Sequence, residues 1–180
     1  VRLMDKVVEQ SLKNSYTYLE YRKLVSDLSE KGESTGPLQT EELAQYTQLN
    51  NSRMRRWDKT LKFNEEAVAK IKSIPVMYKI TELNPNISLS LILRDENLNV
   101  MNQFLTNGSM SIPKLIAIDE EEVVVSTWGP RSINATKLVE AYKAEHGKLS
   151  PEFKQDLQVF YNKDKGQSVL EDLLQLLPLK

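Results

Sequence analysis

ISLSLILRDENLNVMNQFLTNGSMSIPKLIAI, residues 87–118, is the stretch whose reading decides the fold. Ile87, Leu89 and Leu91 alternate with serines before Leu91, Ile92 and Leu93 run fully apolar. That is the pattern of a buried strand. Arg94, Asp95, Glu96 and Asn97 form a polar turn, after which Leu98, Met101 and Leu105 recur at helical spacing and Gly108 suits the C′ position. Ser111, Ile112 and Pro113 lead into a second apolar run, 115–118. Working outward, residues 119–122 are a polar turn and 123–128 a third strand, the hairpin partner of the second. Gly129 and Pro130 end it. Upstream, Val76, Met77, Ile80 and Leu83 share one helix face, stopped by Asn84, Pro85 and Asn86. Downstream, Asn134 suits the cap of a helix bearing Leu138, Val139 and Tyr142, closed by Gly147.

The flanks read as helix. Val8, Leu12, Tyr16 and Leu19 form a stripe continued by Tyr21, Leu24, Val25 and Leu28, broken over residues 30–37 by Gly32, Gly36 and Pro37. Thr40 suits an N-cap for a helix carrying Leu43, Tyr46, Leu49, Met54 and Trp57. Neither helix hides its apolar stripe alone, so an antiparallel pair is expected. Asn64 suits the cap of a short third helix with Ala67, Val68 and Ile71. Ser150 and Pro151 open a C-terminal helix with Phe153, Leu157, Phe160 and Tyr161 inward. Ser168 and Glu171 match a capping box ahead of Leu173, Leu174, Leu176 and Leu177.

The 180 residues carry 24 basic and 25 acidic side chains, a net charge of −1, which gives no pull toward nucleic acid or a membrane surface. No apolar run reaches the roughly 18 residues of a membrane span, and there is no signal-peptide pattern, so a cytoplasmic setting is expected. Val1 rather than a methionine stands first, so the natural start is read as lying upstream. The chain has no cysteine, which excludes disulfides and thiolate catalysis by its own residues. His146 is its single histidine. A histidine-based zinc site is thereby excluded, as is a Ser-His-Asp triad on any other histidine.

The order helix, strand, helix, strand, strand, helix over residues 75–146, the polar turn 94–97, the Ser111-Ile112-Pro113 approach to a strand and the glycine at 129 together resemble the thioredoxin family. Within it, the run from Leu93 to Lys114 is similar to a bacterial group with helical additions at both ends. The similarity extends over most of residues 55–166. It implies an α/β fold of the thioredoxin type, three layers α/β/α. A helical extension would cover 1–63, the core 64–147 and C-terminal helices 148–180. It also implies that Pro113 is the family's cis-proline. The departure is large. The family places a strand ending in Trp-Cys-Gly-Asp before the helix at Pro75, and here Ser73 and Ile74 follow Lys72 directly. That strand is central, and a βαβ crossover needs it. Two readings follow. Either residues 65–83 form one helix kinked at Pro75 in a degenerate relative, or a segment of roughly 20 residues belongs at the Ser73/Ile74 junction.

The resemblance implies a substrate-binding edge of Ile112, Pro113, Arg94, Asp95 and Trp128, with Ile112 offering its backbone to an extended substrate. Each has a plainer alternative. Asp95 or Asn97 caps the next helix, Arg94 is solvated, and Trp128 is partly buried core. Residues 120–122 read as a solvated hairpin turn, His146 as a cation at a helix end, and Arg53, Arg55, Arg56, Lys59 and Lys62 beside Trp57 as a solvated helix face. The activity implied is thiol–disulfide exchange, or a related thiol-dependent reduction, on a protein or small-molecule thiol or disulfide. No residue of this sequence can be the nucleophile, and no cofactor or metal is expected. The alternatives are a non-catalytic binding module and a helix-mediated assembly protein, a homodimer through its N-terminal helices.

Overall fold

The structure, a computed structural model, describes residues 2–3, 6–60 and 73–176. In chain order its elements are β1 (Arg2–Leu3), α1 (Lys6–Leu12), α2 (Tyr18–Lys31), α3 (Glu41–Thr60), α4 (Ser73–Leu83), a 3-10 turn (Arg94–Glu96), α5 (Leu98–Met101), β2 (Leu115–Ile118), β3 (Val123–Trp128), α6 (Ile133–His146), α7 (Pro151–Asp164) and α8 (Gln167–Leu176). Helix and sheet are mixed, as an α/β reading requires. The expected helix at Asn64, Ala67, Val68 and Ile71 lies outside the described residues. So do Lys62 and Leu177. Among the described residues, no helix is long and apolar enough to cross a membrane. Two compact units emerge, which divide the described residues into 2, 73–76 and 111–176 in one and 3, 6–60 and 77–110 in the other.

In the helical unit, the stripe from Val8 to Leu28 does not form one helix. Thr17 takes extended backbone and accepts from the Glu20 N–H, while the Glu20 carboxylate accepts from the Thr17 N–H at 2.8 Å. This reciprocal cap starts α2 afresh. Tyr16, freed from the helix, exchanges backbone hydrogen bonds with Leu91 at 2.7 and 2.9 Å. Leu19 is left exposed.

Helices α2 and α3 do form the expected antiparallel pair. Tyr18 Oη and Arg22 Nε donate to the two oxygens of Asp58 at 2.7 and 2.8 Å, and Gln48 reaches the Ser29 carbonyl further along. Thr40 caps α3 as read, its hydroxyl accepting from the Leu43 N–H. The face of α3 differs, however. Ala44, Thr47 and Asn51 are buried, while Tyr46 and Leu49 are exposed. Asn51 Oδ1 accepts from Arg22 and Thr47 Oγ1 donates to the Leu43 carbonyl, so polar groups pair within the helix contact and the bulkier apolar ones turn out.

Residues 87–93 are not a strand of the sheet, which corrects the sequence reading. The sheet holds β1, β3 and β2, in that order. Among the described residues, Leu91 makes a single antiparallel bridge, to Tyr16. Alternation survives in the burial, with Ile87 and Leu89 half-buried and Ser88 and Ser90 exposed. Helix α5 is also shorter than its spacing predicts. It buries Val100, Met101 and then Phe104, and leaves Leu98 and Leu105 exposed. Gly108 is no helix cap. With Asn107 it has positive φ at the centre of a tight turn in which Thr106 and Ser109 exchange backbone hydrogen bonds.

In the sheet-containing unit, β2 and β3 occupy the residues their pattern predicts and pair antiparallel, Leu115 opposite Trp128, with a bulge between Ala117 and Ile118. Asp119 Oδ1 accepts from the Glu121 and Val123 N–H groups to shape the turn. Residues 120–122 are exposed, as read. Helix α6 is capped by Ser132, not Asn134. The Ser132 hydroxyl accepts from Ala135 N–H, and Gly147 closes the helix. Val139 is buried and Leu138 exposed. Ser150 and Pro151 open α7 as expected, and Phe153, Leu157, Phe160 and Tyr161 are half-buried. Tyr142 lies between His146 and Phe153, stacked at 4.1 and 4.0 Å. The capping box at Ser168 is not formed. Ser168 lies inside α8 and its hydroxyl goes to Ser132 instead. Val169, Leu170 and Leu173 form the apolar seat of α8, while Leu174 is exposed.

Candidate substrate-binding loop

Ile112 and Pro113 precede β2 in the sheet-containing unit. The Ile112–Pro113 peptide is cis, as is Gly129–Pro130. Ile112 is 57% exposed, a large apolar side chain held in water beside half-buried neighbours. Burial lowers the pKa of Lys114, since desolvation disfavours its charged form.

Against this loop stands Gly129, one residue past the end of β3. Its φ is +111°, a conformation side chains rarely adopt. A Cβ built there would fall inside van der Waals contact of the Pro113 carbonyl oxygen, 3.2 Å from the Pro113 carbonyl carbon and 3.4 Å from Lys114 Cα. Only a glycine lets the two chain segments meet this closely. Residues 113 and 129 thus meet backbone to backbone, next in sequence to Ile112.

Trp128 is 5% exposed, with its indole N–H donating to Asp172 Oδ2 at 2.8 Å. Arg94 and Asp95 belong to the helical unit. Arg94 Nε and Nη2 donate to the two Asp95 oxygens at 2.8 and 3.1 Å, so Asp95 faces its own neighbour. Neither carboxylate nor amide caps α5. Asn97 Nδ2 donates back to the Leu93 carbonyl at 2.8 Å, and the helix start has no side-chain cap. Asp95 Oδ2 also lies 2.8 Å from where a Cβ on Gly36 would stand, so the loop at residue 36 comes close because it lacks one. In the basic cluster, Arg55, Arg56 and Lys59 are exposed and Arg53 is half-buried.

Sequence reasoning reads Gly129 only as a strand breaker and passes over Asp172. The Gly129-Pro130 pair after an apolar strand is a local signal for the first. The second has none, because the partner of Asp172 is 44 residues away.

Residues 71–143 match the family model described as thioredoxin. This is a thioredoxin-family segment. It spans α4 through most of α6 and includes both Ile112–Pro113 and Gly129, so the loop and its glycine support lie within the matched thioredoxin region. No curated protein and no solved structure matches the chain. The segment lacks the cysteine on which thioredoxin redox chemistry depends, since the whole chain has none.

Proposed function

We propose that this chain is a non-catalytic binding module on a thioredoxin-type scaffold, presenting Ile112 and Pro113 to an extended polypeptide. The observation that carries it is an exposed isoleucine on a loop braced by the Gly129 contact, in a chain without a thiol. Trp128 supports the loop. In this reading the core is 64–147, with 1–63 and 148–180 as additions, and the setting is cytoplasmic.

A thiol-blocked, unfolded polypeptide is the probe, because it offers extended backbone and no disulfide. Covering the exposed part of Ile112 is worth about 1–2 kcal/mol, so Ile112→Asp should weaken binding by roughly 5- to 30-fold. Leu138→Asp, at an exposed position on α6, should leave affinity within twofold. Equal losses in both variants, or no binding by the unaltered chain, would overturn the reading.

The thioredoxin match favours a second reading, thiol–disulfide exchange by a form carrying the family's cysteine segment ahead of α4. Its test is the intact mass and thiol titration of the protein purified from its source. A mass near 20.7 kDa with no titratable thiol rejects it, and a mass higher by roughly 2–3 kDa with a reactive thiol supports it. Leu19, Tyr46 and Leu49 remain exposed on the helical pair, and sedimentation at rising concentration tests whether they join two copies.

A further inference from the structure

Asp172 is a buried carboxylate in α8 that no part of the binding reading uses. Two donors converge on one of its oxygens. The Trp128 indole N–H lies 2.8 Å from Oδ2 and the Ile133 backbone N–H 2.9 Å from it. One turn earlier, the Ser168 hydroxyl donates to the Ser132 hydroxyl at 2.9 Å, and both serines are buried. Helix α8 therefore grips the 128–133 connection at both ends.

Val169, Leu170 and Leu173 alone would seat the helix, but apolar burial is non-directional and tolerates sliding. A buried carboxylate does not tolerate it, because losing its donors leaves a charge with nothing to replace water. The polar contacts thus fix where α8 stands. Between them lies Gly129, whose backbone abuts Pro113, and Trp128 itself pairs with Leu115, two residues beyond Pro113.

We propose that Asp172 is a positioning residue for the Ile112–Pro113 loop: by holding Trp128 and Ile133 on one oxygen it sets Gly129 against Pro113 and fixes the conformation in which Ile112 is offered. The proposal rests on the reading of 112–113 as a polypeptide-binding loop. It makes the C-terminal helix part of that site's support.

Asp172→Asn keeps an amide oxygen where the donors converge, Asp172→Leu removes the acceptor, and Trp128→Phe removes one donor while keeping an aromatic body. The backbone amide resonances of Ile112 and Lys114 report the loop, and affinity for the thiol-blocked unfolded polypeptide reports binding. Asp172→Leu should move both resonances and weaken binding roughly tenfold, a typical coupling for groups in one network. Asp172→Asn should restore both toward the unaltered protein, and Trp128→Phe should move the same resonances as Asp172→Leu. If Asp172→Leu does not fold, the other two variants decide. Loop resonances unmoved in Trp128→Phe and Asp172→Leu, with only a lower Tm, would overturn the proposal. If the unaltered chain binds no polypeptide, the binding reading fails, and the resonances still decide whether Asp172 positions the loop.

Discussion

Replacing Gly129 with alanine adds one methyl group at the point where two backbones meet. The new Cβ would overlap the Pro113 carbonyl oxygen and crowd Lys114 Cα, and neither is a side-chain tip that can swing away. Relief requires moving the loop or the end of β3, which over-packing series put at about 1–3 kcal/mol. Holding a non-glycine residue at φ +111° adds about 1–3 kcal/mol more. Gly129→Ala should therefore cost about 2–6 kcal/mol, a large fraction of a typical total stability. Gly147→Ala is the control within the same unit. Its φ is +75° and nothing lies within 4 Å of the new Cβ, so only the backbone penalty of about 1–2 kcal/mol applies. Urea unfolding of both variants, read as a shift in midpoint at constant slope, isolates the difference. For a chain of this size the thermal equivalents are roughly 4–24 °C and 2–8 °C. A Gly129→Ala loss no greater than that of Gly147→Ala would refute the claim that close approach to Pro113 requires the glycine.

Thr17→Ala should destabilise α2 by about 1 kcal/mol, since it removes half of the reciprocal cap, and helicity by circular dichroism measures it. The pKa of Glu20 is lowered by the Thr17 backbone N–H and then by the Thr17 hydroxyl. Its contribution is present above the ordinary glutamate range and is lost as pH falls through the lowered value, so Glu20→Gln should flatten the acid limb of the stability curve. Tyr18→Phe should cost about 1–2 kcal/mol by removing the hydrogen bond to Asp58. Burial, reinforced by Asp58, raises the pKa of Tyr18 above its ordinary 10.0. Its stabilisation is intact below that value and declines as pH rises beyond it, so the phenylalanine variant should be less stable at neutral pH and flatter in alkali.

What the sequence disclosed was what local chemistry controls. Thr40, Ser150 with Pro151, and Gly147 mark helix ends because a cap needs partners only a few residues away, and each stands where it reads. The hairpin of β2 and β3 is legible for the same reason. Errors arise where a distant partner outbids the local pattern. Ser168 reads as a cap, but its hydroxyl is taken by Ser132, 36 residues back. Tyr46 and Leu49 read as core, but Arg22 and Asp58 draw the polar face of α3 inward. Thr17 and Glu20 are a legible capping box hidden under a helical stripe that runs straight past them. The candidate loop is visible as Ile112 before a proline. Its brace is not, because backbone proximity between residues 113 and 129 leaves only a glycine as its trace.

The bond between Trp128 and Asp172 also orders events during synthesis. Trp128 leaves the ribosome 44 residues ahead of its acceptor, roughly 2–9 s at 5–20 residues per second. Throughout that interval the indole N–H, the Ile133 amide and the Ser132 hydroxyl lack the partners that α8 brings. A nascent chain halted before residue 168 therefore has its hairpin but not the helix that clamps it. That places the maturation of the loop after α8 has emerged.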